Sequence, residues 1–361
     1  MERSARSRTV VALSAVLVIV LLHSCRRDVD LAPSPQANTP YELRIPEWVT
    51  ADGHLPYLPS DDPLTVEGVE LGRMLFYEKA LSNNFTLSCG SCHVQANAFS
   101  DPRPFSIGTD GSVGTRSAMA IVNMAWDNAF FWDGRSTSLE RQALLPVVDH
   151  AEMRNSWSVV AQRLQSDERY PDRFKQVFGT STIDSMLVVR AIAQFERTLL
   201  SFSSRFDRFE YGGDSLALTP QEIRGKELFF RGAHCVDCHM GAMLSDHSLR
   251  NNGLDLVHTD LGLGGVTGSA SHNGRFKTTT LRNIAVTAPY MHDSRFSTLE
   301  EVVDFYADDV QLDSPNLDNH MFPWMNGQVI LSPLDRSDLV AFLHSLTDQA
   351  FLTDPNFSEP R

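Results

Sequence analysis

Cys89-Gly90-Ser91-Cys92-His93 is the stretch from which the rest of the chain is read, and Cys235-Val236-Asp237-Cys238-His239 repeats it. Two thiols three positions apart can add across the two vinyl groups of one porphyrin, which holds the adjoining histidine under the ring as an axial ligand to iron. A lone Cys-X-X-Cys reads equally as half a zinc site or as a redox dithiol. Two copies that both carry the histidine favour two covalently attached c-type haems over either alternative, with His93 and His239 as axial ligands.

The 361 residues suffice for about two domains, and one attachment site per domain fits that number. Of the five cysteines, four belong to the motifs and Cys25 is left over, so none remains for a disulfide. Cys25 closes an N-terminal run that begins with Arg3, Arg6 and Arg8 and continues as the apolar segment Val10 to Leu22. That pattern is an export signal, and its ending is similar to a bacterial lipoprotein signal in which the cysteine is lipidated. The expectation is a signal peptide over 1–24, lipidation at Cys25 and a membrane-anchored protein on the extracytoplasmic, periplasmic side. An uncleaved anchor helix is the alternative, although the run is shorter than the ~20 residues a span needs. The net charge of −14 argues against nucleic acid as a partner and for a basic redox protein.

Prolines crowd Asp28 to Pro63, so 25–63 reads as a tether and an extended segment laid on the first domain. Apolar spacing from Thr65 predicts a helix leading to the first haem loop. Thr219-Pro220-Gln221-Glu222 is a capping box for the helix that leads to the second. The two approaches align as Gly72-Arg73-Met74-Leu75-Phe76-Tyr77 with Gly225-Lys226-Glu227-Leu228-Phe229-Phe230, an internal repeat. Further helix starts are read at Thr137-Ser138-Leu139-Glu140, Ser297-Thr298-Leu299-Glu300 and Ser332-Pro333-Leu334-Asp335, and a helix is read within Ile183 to Leu200. Residues 246–274 are glycine-rich and aperiodic, hence loop. No stretch reads as strand-rich. The expected fold is mainly α, with two cytochrome c-like domains.

Further stretches carry a resemblance: Phe131-Trp132-Asp133-Gly134-Arg135, Gln142, Glu152-Met153, Thr280-Leu281-Arg282-Asn283, and Ala288-Pro289-Tyr290-Met291-His292-Asp293. With the two haem motifs, they make the chain from about Val66 to Leu346 resemble the bacterial di-haem cytochrome c peroxidase family, MauG-type enzymes included. The resemblance implies an N-terminal peroxidatic haem domain over 64–212 and a C-terminal electron-transfer haem domain over 213–361. It places Trp132 between the haems as an electron stepping stone, Glu152 as the acid–base group for peroxide, and Gln142 as an orienting amide.

Two departures from the family's commonest pattern matter. Where many members carry a distal histidine, this chain has Thr109, a poor ligand, so the first haem is expected to be five-coordinate. Where many carry a methionine, fourteen residues past His292, this chain has Tyr306, as MauG-like members do. Tyr306 is the expected distal ligand of the second haem, with Met291, His292, Met321 and Met325 as alternatives. The resemblance also extends to a calcium ion held by the carbonyls of Thr287 and Pro289, with Ser117 where the family has asparagine.

The function expected is an oxidoreductase of the cytochrome-c peroxidase type, reducing hydrogen peroxide with electrons from a small c-type cytochrome or similar donor. A MauG-like oxidase acting on a protein residue or organic substrate is the alternative. A non-enzymatic electron carrier is a second, with a residue such as His150 capping the first iron.

Overall fold

Thr65 opens the first helix, its side chain accepting from the Gly68 N–H at 3.0 Å, and α1 (Val66–Phe76) buries Leu71, Leu75 and Phe76. The computed structural model describes residues 37–51 and 53–360. The signal peptide and Cys25 therefore lie outside the described residues. Asn38–Arg361 forms one compact unit, and Met1–Ala37, of which only Ala37 is described, is a separate one.

The helices that position the site are α1, α2 (Leu139–Val148), α3 (Ser185–Glu196), α4 (Pro220–Glu227), α5 (Leu299–Asp304) and α6 (Pro333–Ser345). Strand is confined, among the described residues, to β1 (Leu249–Arg250) paired antiparallel with β2 (Phe276–Lys277) and to isolated bridges. The stretch 246–274 is thus not loop throughout. It contains β1 and the short helix Leu263–Thr267.

The internal repeat is a repeat of helix crossings. A Cβ on Gly72 of α1 would stand 1.8 Å from the Ala191 carbonyl oxygen of α3, and one on Gly225 of α4 would stand 1.9 Å from that of Asp338 on α6. Glycine lets both backbone pairs touch, and an aromatic pair locks each crossing from one side. Phe76 meets Phe195 at 5.3 Å and Phe229 meets Phe342 at 5.2 Å. Gly72→Ala must push α1 off α3, and overpacking of this kind costs about 1–3 kcal/mol. A lowered denaturant midpoint of the haem-loaded protein is expected, and an unchanged one would show that the helices do not cross there.

One core gathers Leu71, Leu75, Phe76, Phe99, Phe195 and Leu199, and a second gathers Phe206, Phe229, Leu299, Leu339, Phe342 and Leu346. Phe351, near the end of the chain, returns to the first core and packs edge-on against Phe99 at 5.7 Å.

Two helix starts lie one residue later than their sequence suggests. Ser138, not Thr137, caps α2, which leaves Glu140 free to accept from Arg197 Nη2 at 2.6 Å. The box at α5 is Thr298 with Glu301. Thr219 with Glu222 and Ser332 with Asp335 form the boxes of α4 and α6. Two π-helical turns follow helices directly: Leu228–Gly232, which delivers the chain to Cys235, and Phe305–Asp309, which carries Tyr306.

Candidate functional site

Each Cys-X-X-Cys-His motif coils into a single tight turn, with the histidine N–H donating to the carbonyl of the first cysteine at 2.9 Å in both copies. The four thiols form no disulfide. His93 Nδ1 lies 2.7 Å from the Phe99 carbonyl oxygen, and His239 Nδ1 lies 3.1 Å from that of Leu244. Phe99 and Leu244 both hold a left-handed conformation, with φ of 58° and 48°, that aims the carbonyl back at the ring. Burial holds both imidazoles below their usual pKa, so they are neutral, and the Nδ1–H bond leaves the Nε2 lone pair free for a metal. Among the described residues no group of three or more His, Cys, Asp or Glu side chains is arranged to hold a bare metal ion.

Cys89, Cys92 and His93 line one cavity of about 1010 Å³, and Cys235, Cys238 and His239 line another of about 270 Å³. Free thiols, a tethered imidazole and a mainly apolar wall fit a covalently held haem in each. Trp132 and His292 line both cavities and so form part of the wall between them. Their rings meet edge to face at 6.4 Å. They are equivalent positions of a second repeat: Phe130 to Glu140 matches Tyr290 to Glu300, with β-bridges Phe130–Ser136 and Tyr290–Phe296 in the same places. The Trp132 indole N–H donates to the Ser117 carbonyl at 2.9 Å, and the Lys277 N–H donates to the Trp132 carbonyl at 2.8 Å. His292 stacks on Phe276 at 3.7 Å.

Glu152 and Gln142 line the cavity of His93. Burial, with Asp149 adding to it and Arg135 opposing, raises the Glu152 carboxyl to about 7. The hairpin before Arg116 buttresses it. The Thr109 N–H donates to the Glu152 carbonyl at 2.9 Å, and a Cβ on Gly108 would stand 2.3 Å from the Ala151 carbonyl oxygen. Thr109 itself is not among the residues that line this cavity. Arg116, which does line it, is fixed by Asp133 at 2.5 Å and by both oxygens of Asp260 at 2.7 Å.

Tyr306 lines the cavity of His239, and its hydroxyl accepts from Asn252 Nδ2 at 2.9 Å. Burial raises this phenol to about 12 despite that hydrogen bond. It stays protonated until a metal displaces the proton. Of the alternatives, Met291, His292 and Met321 line the same cavity, whereas Met325 does not and is half exposed. In the repeat that pairs Leu139 with Leu299, the counterpart of Tyr306 is Pro146, which lines the other cavity. Proline offers no atom to iron.

The sequence profile of di-haem cytochrome c peroxidases matches residues 66–215. The chain is 34% identical over 317 residues to the methylamine utilization protein MauG of Methylophilus methylotrophus, spanning 86% of this chain and 91% of that one. The chain belongs to the di-haem cytochrome c peroxidase and MauG family. A cytochrome c551 peroxidase of Nitrosomonas europaea is 36% identical over 67% of this chain and 73% of its own. A crystal structure of a MauG-like protein associated with microbial copper homeostasis superposes with a TM-score of 0.80 at 33% identity, covering 89% of this chain and 99% of that one. Membership in a di-haem family implies two c-type haems, and relatives bear both the peroxidase and the MauG names.

Other residues that line the two cavities were not singled out from the sequence. Glu196 lines the cavity of His93, and a partly buried trio lines the cavity of His239, in which Asp127 pairs with Lys277 Nζ at 2.6 Å and with His247 Nδ1. Each trio member comes from a different stretch of chain, so no local pattern announces it. Thr287, Pro289 and Ser117 also line the cavity of His239, and the Ser117 hydroxyl donates to the Met291 carbonyl at 2.9 Å. These three bring no carboxylate, a weak set for calcium on ligand charge.

Proposed function

We propose that the protein reduces hydrogen peroxide to water in the cavity beside His93, using electrons that a small c-type cytochrome delivers to the cavity beside His239. The observation that carries this reading is the unlike furnishing of equivalent places, Pro146 on one side and Tyr306 on the other. Pro146 has no side-chain donor for a cofactor metal, so the first cavity would stay open to a small substrate, whereas Tyr306 would offer its phenol oxygen as a ligand in the second.

Haems bound in the two cavities supply the redox chemistry, reaction with peroxide in one and electron entry in the other. The cysteines would hold them as thioethers, and the neutral imidazoles of His93 and His239 would serve as ligands to iron. Glu152 takes the proton from one peroxide oxygen and returns it to the other, which leaves as water. Gln142 orients the substrate through its amide. Two electrons and two further protons complete the balance, H2O2 + 2 e⁻ + 2 H⁺ → 2 H2O. Trp132, in the wall between the cavities, relays the electrons. Cys25, behind its apolar run, would tether the protein to a membrane outside the cytoplasm.

A second reading draws the same oxidising equivalents from a protein residue or other organic substrate, as in a MauG-like oxidase. Tyr306 favours it, because an anionic oxygen ligand stabilises oxidised iron. Steady-state assays with peroxide and a reduced small c-type cytochrome separate the two. The first reading expects two cytochromes oxidised per peroxide. Peroxide consumption without cytochrome oxidation would favour the second, and no consumption at all would end both.

A further inference from the structure

The two halves repeat each other closely enough for a mismatch at equivalent positions to be informative. Geometry fixes the register on α3 and α6: Ala191 and Phe195 receive Gly72, and Asp338 and Phe342 receive Gly225. The next residue along is Glu196 on α3 and Leu343 on α6. Ile192 and Glu196 line the cavity of His93 just as Leu339 and Leu343 line the cavity of His239. One cavity thus has a carboxyl where its twin has a hydrocarbon.

Glu196 is 4% exposed, and its Oε2 is buried with no hydrogen-bond partner. Such a group costs stability that a leucine would not. The elements around it do little to offset the cost. Toward α3, α1 turns Leu71, Leu75 and Phe76, and the helix Trp157–Ser166 turns Val160 and Leu164. From α2 comes Glu140, paired at 2.6 Å with Arg197, the neighbour of Glu196, and Cys89 approaches from the haem-motif turn. Burial, opposed by Arg197 and reinforced by Glu140, raises the Glu196 carboxyl to about 8.

We propose that Glu196 takes up a proton when the haem in the N-terminal cavity takes up an electron. The inference rests on the reading of that cavity as a haem site. An added electron lowers the charge of the cofactor by one, and a carboxylate as buried as Glu196, poorly screened by solvent, then becomes costlier to keep ionised. The balance is oxidised cofactor + e⁻ + Glu196 carboxylate + H⁺ → reduced cofactor + Glu196 carboxylic acid, with the electron from the donor and the proton from solvent. Peroxide reduction consumes protons and electrons in equal number. A carboxyl that loads one with the other keeps the cavity supplied with protons and its charge constant.

Spectroelectrochemical titration of the haem-loaded full chain across neutral to alkaline pH tests this. For one electron a tenfold change in proton concentration corresponds to about 59 mV. The midpoint of the N-terminal haem is expected to fall by about 59 mV per pH unit over part of that range. Glu196→Gln should flatten the slope, while Glu152→Gln should retain it. If Glu196→Gln fails to load haem, Glu196→Leu, which installs the side chain of the twin position, is read in the same way. A wild-type slope in the Glu196 variants, or a slope lost in Glu152→Gln instead, would overturn the assignment. Failure of the wild type to incorporate haem at His93 would instead overturn the reading of the cavity.

Discussion

Glu152→Gln is expected to lower peroxide turnover by about 10²–10⁴-fold, the usual weight of a positioned acid–base group, with both haems still attached. Glutamine keeps the shape and the hydrogen-bonding capacity of the side chain but cannot take a proton from peroxide. The pH profile provides a sharper check. The reactive form is the carboxylate, and the carboxyl is raised to about 7, so the wild-type rate should climb as pH rises through that value and fall about tenfold per unit well below it. The climb should be absent from the residual activity of Glu152→Gln. If that variant keeps the wild-type rate and profile, the proton is handled elsewhere.

Trp132→Phe is expected to separate the two halves of the reaction. Trp132 lines both cavities, and phenylalanine fills much of its space while being far harder to oxidise. The first encounter with peroxide should proceed at the wild-type rate, whereas steady turnover with reduced cytochrome should fall by about tenfold or more, a rise of about 1.4 kcal/mol in the barrier to re-reduction. The variant also loses the indole hydrogen bond to Ser117, worth about 1 kcal/mol, so its unfolding midpoint should be measured alongside. Equal steady-state rates in the two proteins would remove Trp132 from the electron path.

The helical fold and the haem motifs were legible because their determinants are local. Thiol spacing, capping residues and 3.6-residue periodicity each lie within a few positions; the Gly72 and Gly225 repeat was visible as a repeat, but only the structure showed that it marks the crossings with α3 and α6. Capping boxes misled by one residue where two adjacent hydroxyls compete, at Thr137-Ser138 and Ser297-Thr298, because only the three-dimensional start of the helix chooses between them. The π turn under Tyr306 has no sequence signature. Partnerships across long separations were equally invisible, among them Arg116 with Asp260, Asn252 with Tyr306, and Asp127 with Lys277. Glu196 was within reach: aligning Ala191 to Leu199 with Asp338 to Leu346 sets it against Leu343, but only the structure showed that both face a cavity.

The claim on which the others depend is that the two irons have unlike surroundings, an open face opposite His93 and a closed one opposite His239. Electron paramagnetic resonance of the resting, fully ferric, haem-loaded protein measures this directly. One high-spin and one low-spin ferric signal in equal amounts are expected. Two low-spin signals, with none of the high-spin species, would mean that a side chain occupies the face reserved for peroxide.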